Sequence, residues 1–150
     1  VLIGSGPQDA LQGPRSELLA GAGLATVLRR HGLRIALDEL TYIAHFVTPV
    51  DEPRRYDTRF FMAEVTPQQH AEVHEAEAVH GGWYTPATVL DMAAREPSLL
   101  LPPTRILLSE FAQHATLAAA RDDLGSRAVV EVIFGLDDVR AGRLPQWLPR

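Results

Sequence analysis

The chain is predicted to be a mixed α/β fold, and three observations predict it. Leu40 to Val47 is rich in β-branched and aromatic residues and runs into Thr48-Pro49, as a strand entering a turn does. Thr58 to Val65 is a second such run. Thr85-Pro86 and Pro102-Pro103-Thr104 then open segments whose apolar residues recur at helical spacing.

In chain order, Gly4-Ser5-Gly6-Pro7 and Gly13-Pro14 bracket a polar stretch, so residues 4–15 read as loop. From Ser16 to His31, Leu18, Leu19, Ala22, Ala25, Val27 and Leu28 lie on one helical face, although Gly21 and Gly23 weaken the first half. Arg29-Arg30-His31 suits the negative end of a helix dipole, and Gly32 suits its termination. Strands are expected at 40–48 and 58–65, antiparallel and joined by a long loop in which Asp51-Glu52-Pro53 supplies turn chemistry.

Pro67 to Ala76 is polar and reads as a short helix or loop. A third short strand is expected at 78–84, despite Gly81-Gly82. Thr85 can cap a helix over 86–96, with proline at its first position. Leu107, Leu108, Phe111, Ala115 and Ala118 form the stripe of what is expected to be the longest helix, 103–122, closed by Asp122-Asp123-Leu124-Gly125. Ala128 to Phe134 is again of β type, and the remainder, through Pro145 and Pro149, has little periodicity.

The length of 150 residues suits one domain, with 1–15 as loop, 16–125 as main body and 126–150 as terminal strand and tail. No apolar run approaches the roughly 20 residues of a bilayer span, so no membrane partner is expected. A net charge of −5 offers no overall positive field for a phosphate backbone, which argues against nucleic acid. Without cysteine there is no disulfide, thiolate metal site or cysteine nucleophile, and the cytoplasm is the default expectation.

Three blocks carry a resemblance. They are Thr48-Pro49; Arg54-Arg55-Tyr56-Asp57-Thr58-Arg59-Phe60-Phe61; and Glu77 with Trp83 and Pro86, followed by Pro102-Pro103-Thr104. Together they resemble the C-terminal part of a Nudix hydrolase, in the subgroup of acyl-coenzyme A and nucleotide-sugar diphosphatases. The likeness covers residues 16–120, and Asp57 to Phe61 is its most specific part. It implies an α/β/α sandwich with a mixed sheet. It also implies hydrolysis of a diphosphate bond in a nucleoside diphosphate or coenzyme A derivative, with Mg2+ or Mn2+ as cofactor, and it leaves room for a homodimer.

The family's defining box, a glutamate-rich loop-helix-loop, has no counterpart here, and Arg95-Glu96 is followed at once by Pro97. Val1-Leu2-Ile3 fits the apolar residues that follow the box glycine, so the expectation is a chain beginning just downstream of the box, lacking the glutamates that hold the cation. Such a chain is expected to turn over little or nothing. The alternative is a non-catalytic ligand-binding or interaction module, or a remnant of the fold without activity.

Arg54, Arg55 and Arg59 are the candidate substrate-binding residues, because a guanidinium presents paired donors to phosphate oxygens, and Asp57 could orient one of them. The plainer alternative is a surface turn with a structural Asp57–Arg59 pair. Glu77 is the candidate catalytic base or extra cation ligand, against the alternative of a solvated acid beside Glu72 and Glu75. His70 and His74 stand four apart, but without the glutamate placement of a metalloprotease helix. Of Trp83, Phe60 and Phe61, at least two are expected in the core rather than stacked on a ligand.

Overall fold

The structure is a computed structural model and describes residues 9–65, 73 and 80–133 of the chain. It divides into two compact units, residues 1–40 with 63–79, and residues 41–62 with 80–150. Among the described residues no helix is long and apolar enough to cross a membrane.

The first unit contains α1 (Asp9–Leu19), α2 (Leu24–His31) and a 3-10 turn (Leu37–Glu39). Residues 9–15 are thus helical rather than loop. Pro14 lies just past the first turn of α1, so its missing N–H costs only one hydrogen bond near the helix start, and its ring is fully buried, as is Val27. The helix expected over 16–31 is split in two. At Gly21, φ is +91° and the amides of Gly21 and Ala22 bond back to Leu18 and Glu17, a left-handed closure that ends α1. Gly32 ends α2 in the same way, with φ +61° and Leu33 N–H donating to the Leu28 carbonyl.

The two helices of this unit are tied by Glu17, whose carboxylate meets Arg30 Nη1 at 2.5 Å and His31 Nε2 at 2.8 Å. The hydrogen bond with His31 holds the Glu17 carboxyl below its usual range; slight desolvation works against this, and the nearby Arg30 charge works with it. The basic C-terminus of α2 therefore serves as a clasp on α1.

The second unit is built on a three-stranded mixed sheet of order β2-β1-β3, with β1 at Thr41–Val47, β2 at Asp57–Met62 and β3 at Glu131–Ile133. β1 and β2 are antiparallel with a bulge between Tyr42 and Ala44, and β1 and β3 are parallel. A parallel neighbour needs a long crossover. That crossover holds α3 (Pro86–Arg95), α4 (Pro102–Phe111) and α5 (Leu117–Ser126), with a 3-10 turn at Pro97–Leu99.

The core of this unit is Ala44, Phe46, Ile106, Leu107 and Val132, so α4 lies on the face of the sheet that carries Phe46, and Phe60 packs against the cluster. Phe46 and Phe60 meet edge to face with ring centres 5.6 Å apart, an arrangement contributing about 0.5–1.5 kcal/mol beyond burial. α3 begins as expected: Thr85 Oγ1 accepts the Thr88 amide at 3.2 Å and Pro86 occupies the first turn.

Three expectations for this unit are corrected. Residues 80–84 form no strand; Gly81-Gly82 precedes an outward Trp83, and the third strand comes from the β-type run near 131. The helix expected over 103–122 is two helices: α4 ends at Phe111, and after a short turn Thr116, at φ −140°, starts α5 with its hydroxyl accepting the Ala119 amide. Of the three aromatics expected mainly in the core, Phe60 alone packs there. Phe61 is half exposed against Tyr42, because strand alternation sends it to the opposite face, and Trp83 is exposed. Pro67–Ala76, Glu72, Glu75, His70, His74, Glu77 and the tail beyond Ile133 lie outside the described residues, Val73 excepted.

Candidate functional site

The site is built on the connection between β1 and β2. Thr48, the residue after β1, shares three hydrogen bonds with Tyr56, the residue before β2. Thr48 N–H donates to the Tyr56 carbonyl at 2.9 Å, and Tyr56 N–H donates to Thr48 Oγ1 at 3.0 Å. Thr48 Oγ1 also donates to the Tyr56 carbonyl at 3.3 Å, and together these hydrogen bonds pinch the neck of the loop. Inside it, Glu52 N–H bonds the Pro49 carbonyl at 3.2 Å and forms a turn, as proline and Asp51 favour. Arg55 Nε donates to the Thr48 carbonyl at 3.2 Å, a further tie at the same neck.

Against this loop lies a groove of about 480 Å3, contained within the second unit. Its floor is Phe46 and Phe60, one wall is Val47 to Pro49 with Glu52, Arg54, Tyr56 and Thr58, and the other is Leu101 to Thr104 at the start of α4. Two of the proline-bearing blocks singled out in the sequence, Thr48-Pro49 and Pro102-Pro103-Thr104, thus face the same space as Arg54. The prolines suit this use. They fix backbone angle, lack an N–H that would need a partner, and present a flat apolar surface.

The four candidate binding residues separate. Arg54 lines the groove, and no described residue hydrogen-bonds or ion-pairs with its guanidinium. Arg55 is tied to the Thr48 carbonyl. Asp57 and Arg59 alternate with the groove-lining Thr58 and Phe60 along β2, which directs them to the other face of the sheet. There Asp57 Oδ1 meets His45 Nε2 at 2.6 Å and Arg59 Nη1 at 3.1 Å, so the Asp57–Arg59 pair anticipated as a fold-organising contact is present and includes His45.

Phe46, Tyr56, Thr58 and Leu101 were not among the candidates. The signal that could have found Thr58 was period-two alternation counted from Phe60. Leu101 had none, because only folding carries the start of α4 to the loop. Glu77, the candidate base, lies outside the described residues. Among the described residues no three His, Asp or Glu side chains converge as metal ligands.

The groove can bind but offers little to react with. Its lining is overwhelmingly apolar, with Arg54 as cation, Glu52 as carboxylate, and hydroxyls from Thr48, Tyr56, Thr58 and Thr104. No protein-family model, curated protein or solved structure matches the chain.

Proposed function

We propose that this chain supplies the substrate-holding part of a Nudix-type hydrolase, acting on a diphosphate bond between a nucleoside diphosphate and another moiety. The observation that supports the reading is convergence. Thr48-Pro49, Arg54 and Pro102-Pro103-Thr104 carry the resemblance from well-separated stretches of sequence, yet they line one groove. Arg54, exposed at this groove and without a hydrogen-bond or ion-pair partner among the described residues, leaves its paired donors open to an anionic substrate oxygen.

In this reading Arg54 grips the substrate, Arg55 holds the loop, and Asp57, His45 and Arg59 stiffen the strand pair behind it. Magnesium or manganese would supply charge neutralisation and an activated water in such a hydrolase. The described residues provide no site for the ion, so the part argued for this chain is binding and orientation. A homodimer remains part of the proposal, with no role in the groove.

The test is diphosphatase turnover with magnesium or manganese on coenzyme A and nucleotide-sugar substrates, comparing this chain with a form preceded by a Nudix box. Turnover confined to the box-bearing form, with Arg54→Gln raising KM more than it lowers kcat, is the expected result. Binding without turnover in either form would favour the second reading, a ligand-binding module. What favours that reading is a groove lined by a binding cation but no converging catalytic carboxylates among the described residues.

A further inference from the structure

We infer that the groove receives the non-nucleotide moiety of the substrate, and that this moiety is apolar, an alkyl chain or a flat ring, and not a sugar. The inference rests on the proposed hydrolase reading and narrows its substrate class. It follows from what the lining can and cannot pair.

A hexose brings a hydroxyl on nearly every carbon, and each needs a partner once water is removed. The floor rings of Phe46 and Phe60 and the surfaces of Pro49, Leu101, Pro102 and Pro103 offer none. Of the four hydroxyls in the lining, that of Thr48 is already engaged, accepting the Tyr56 amide and donating to the Tyr56 carbonyl at 3.3 Å, which leaves three for a sugar's hydroxyls. The groove therefore favours a body without hydrogen-bonding groups, for which the edge-to-face rings and the proline faces give contact without an unmet polar demand. Orientation comes from the wall. Arg54, with no described partner, can take an anionic oxygen, and Glu52 on the same wall disfavours a second negative group deeper in the groove.

The experiment is direct binding to this chain, by calorimetry or ligand-observed NMR, of three phosphate monoesters with the same head group: hexyl phosphate, phenyl phosphate and glucose 1-phosphate. Hexyl or phenyl phosphate is expected to bind at least ~10-fold more tightly than glucose 1-phosphate, the better of the two telling chain from ring. Arg54→Gln should weaken both by about 10-fold. Leu101→Ser changes a side chain that is 74% exposed, so the fold is kept, and it should weaken hexyl phosphate while leaving inorganic phosphate unchanged.

Glucose 1-phosphate binding as tightly as the other two would overturn the inference, as would binding of hexyl and phenyl phosphate that neither substitution alters, or no binding of either. The hydrolase reading can fail separately. Selective binding of hexyl or phenyl phosphate with no diphosphatase turnover in the box-bearing form removes the hydrolase and leaves the groove's preference standing. Turnover that prefers sugar-linked diphosphates does the reverse.

Discussion

Arg127 Nη1 donates to Glu110 Oε2 at 2.7 Å while Arg127 Nη2 donates to Asp123 Oδ2 at 2.5 Å, so one guanidinium joins the end of α4 to the last turn of α5. Desolvation disfavours the charged guanidinium here, but the hydrogen bonds it donates to Asp123 and Glu110, with their negative charges, outweigh it and hold its pKa above the ordinary value. His114 Nε2, in the connecting turn, lies 3.2 Å from the same Asp123 carboxylate. This cluster fixes the angle between two helices that the apolar pattern alone would have run together.

Removing one partner of that pair leaves a partly buried charge without its counterpart. Arg127→Met is expected to cost about 1–3 kcal/mol, and Glu110→Gln somewhat less, because an amide still accepts one hydrogen bond. Thermal denaturation of the single and double variants measures the coupling. A double-mutant cycle with no coupling would mean that the pair is solvated in solution.

The Glu17 clasp makes the helical pair pH-dependent. Its folded pKa is depressed, so the stability it contributes is fully present above the ordinary value of 4.5 and is lost as pH falls through the lowered folded value. Glu17→Gln should lower stability above pH 4.5, where the contribution is fully present, and so flatten the fall in stability below it. An unchanged acid limb would show that other carboxylates govern it.

Thr48→Val keeps the shape of the side chain and deletes the oxygen that accepts the Tyr56 amide. The expected cost is about 1–2 kcal/mol, with faster hydrogen exchange at Tyr56 and weaker binding in the groove. Protected exchange at Tyr56 in this variant would assign the loop's neck to the Thr48 amide and the Arg55 tie, and not to the Thr48 hydroxyl.

Thr116→Ala should lower stability by about 1 kcal/mol through loss of the α5 cap, with fraying at Ala119 seen by amide exchange. Thr85→Ala is expected to act on α3 in the same way and by a similar amount, about 1 kcal/mol. The two losses should add, since the caps share no partner.

How far the site was legible follows from the range of the interactions involved. β1 and β2 were readable because β-branched and aromatic runs carry their preference locally, and α3 because its cap and proline are neighbours in sequence. Arg54 was readable as a guanidinium in a loop. Its separation from Asp57 and Arg59 was not, because that depends on which alternate residues of β2 face α4, and the register is set by pairing across the sheet and by the bulge at Tyr42.

By itself, then, the sequence determined the presence of a strand pair, the arginine-bearing loop between them, the capped α3 and the basic end of α2, all governed by contacts within a few residues. Tertiary structure decided the rest. It selected a three-residue strand near 131 as the third member of the sheet, because Val132 buries beside Phe46 there. It broke the long helix between Phe111 and Leu117, and Arg127 reaches back to Glu110 across the break. And it brought Leu101 to Thr104 against the loop at Arg54, a meeting across about fifty residues that only the burial of α4 on the sheet could produce.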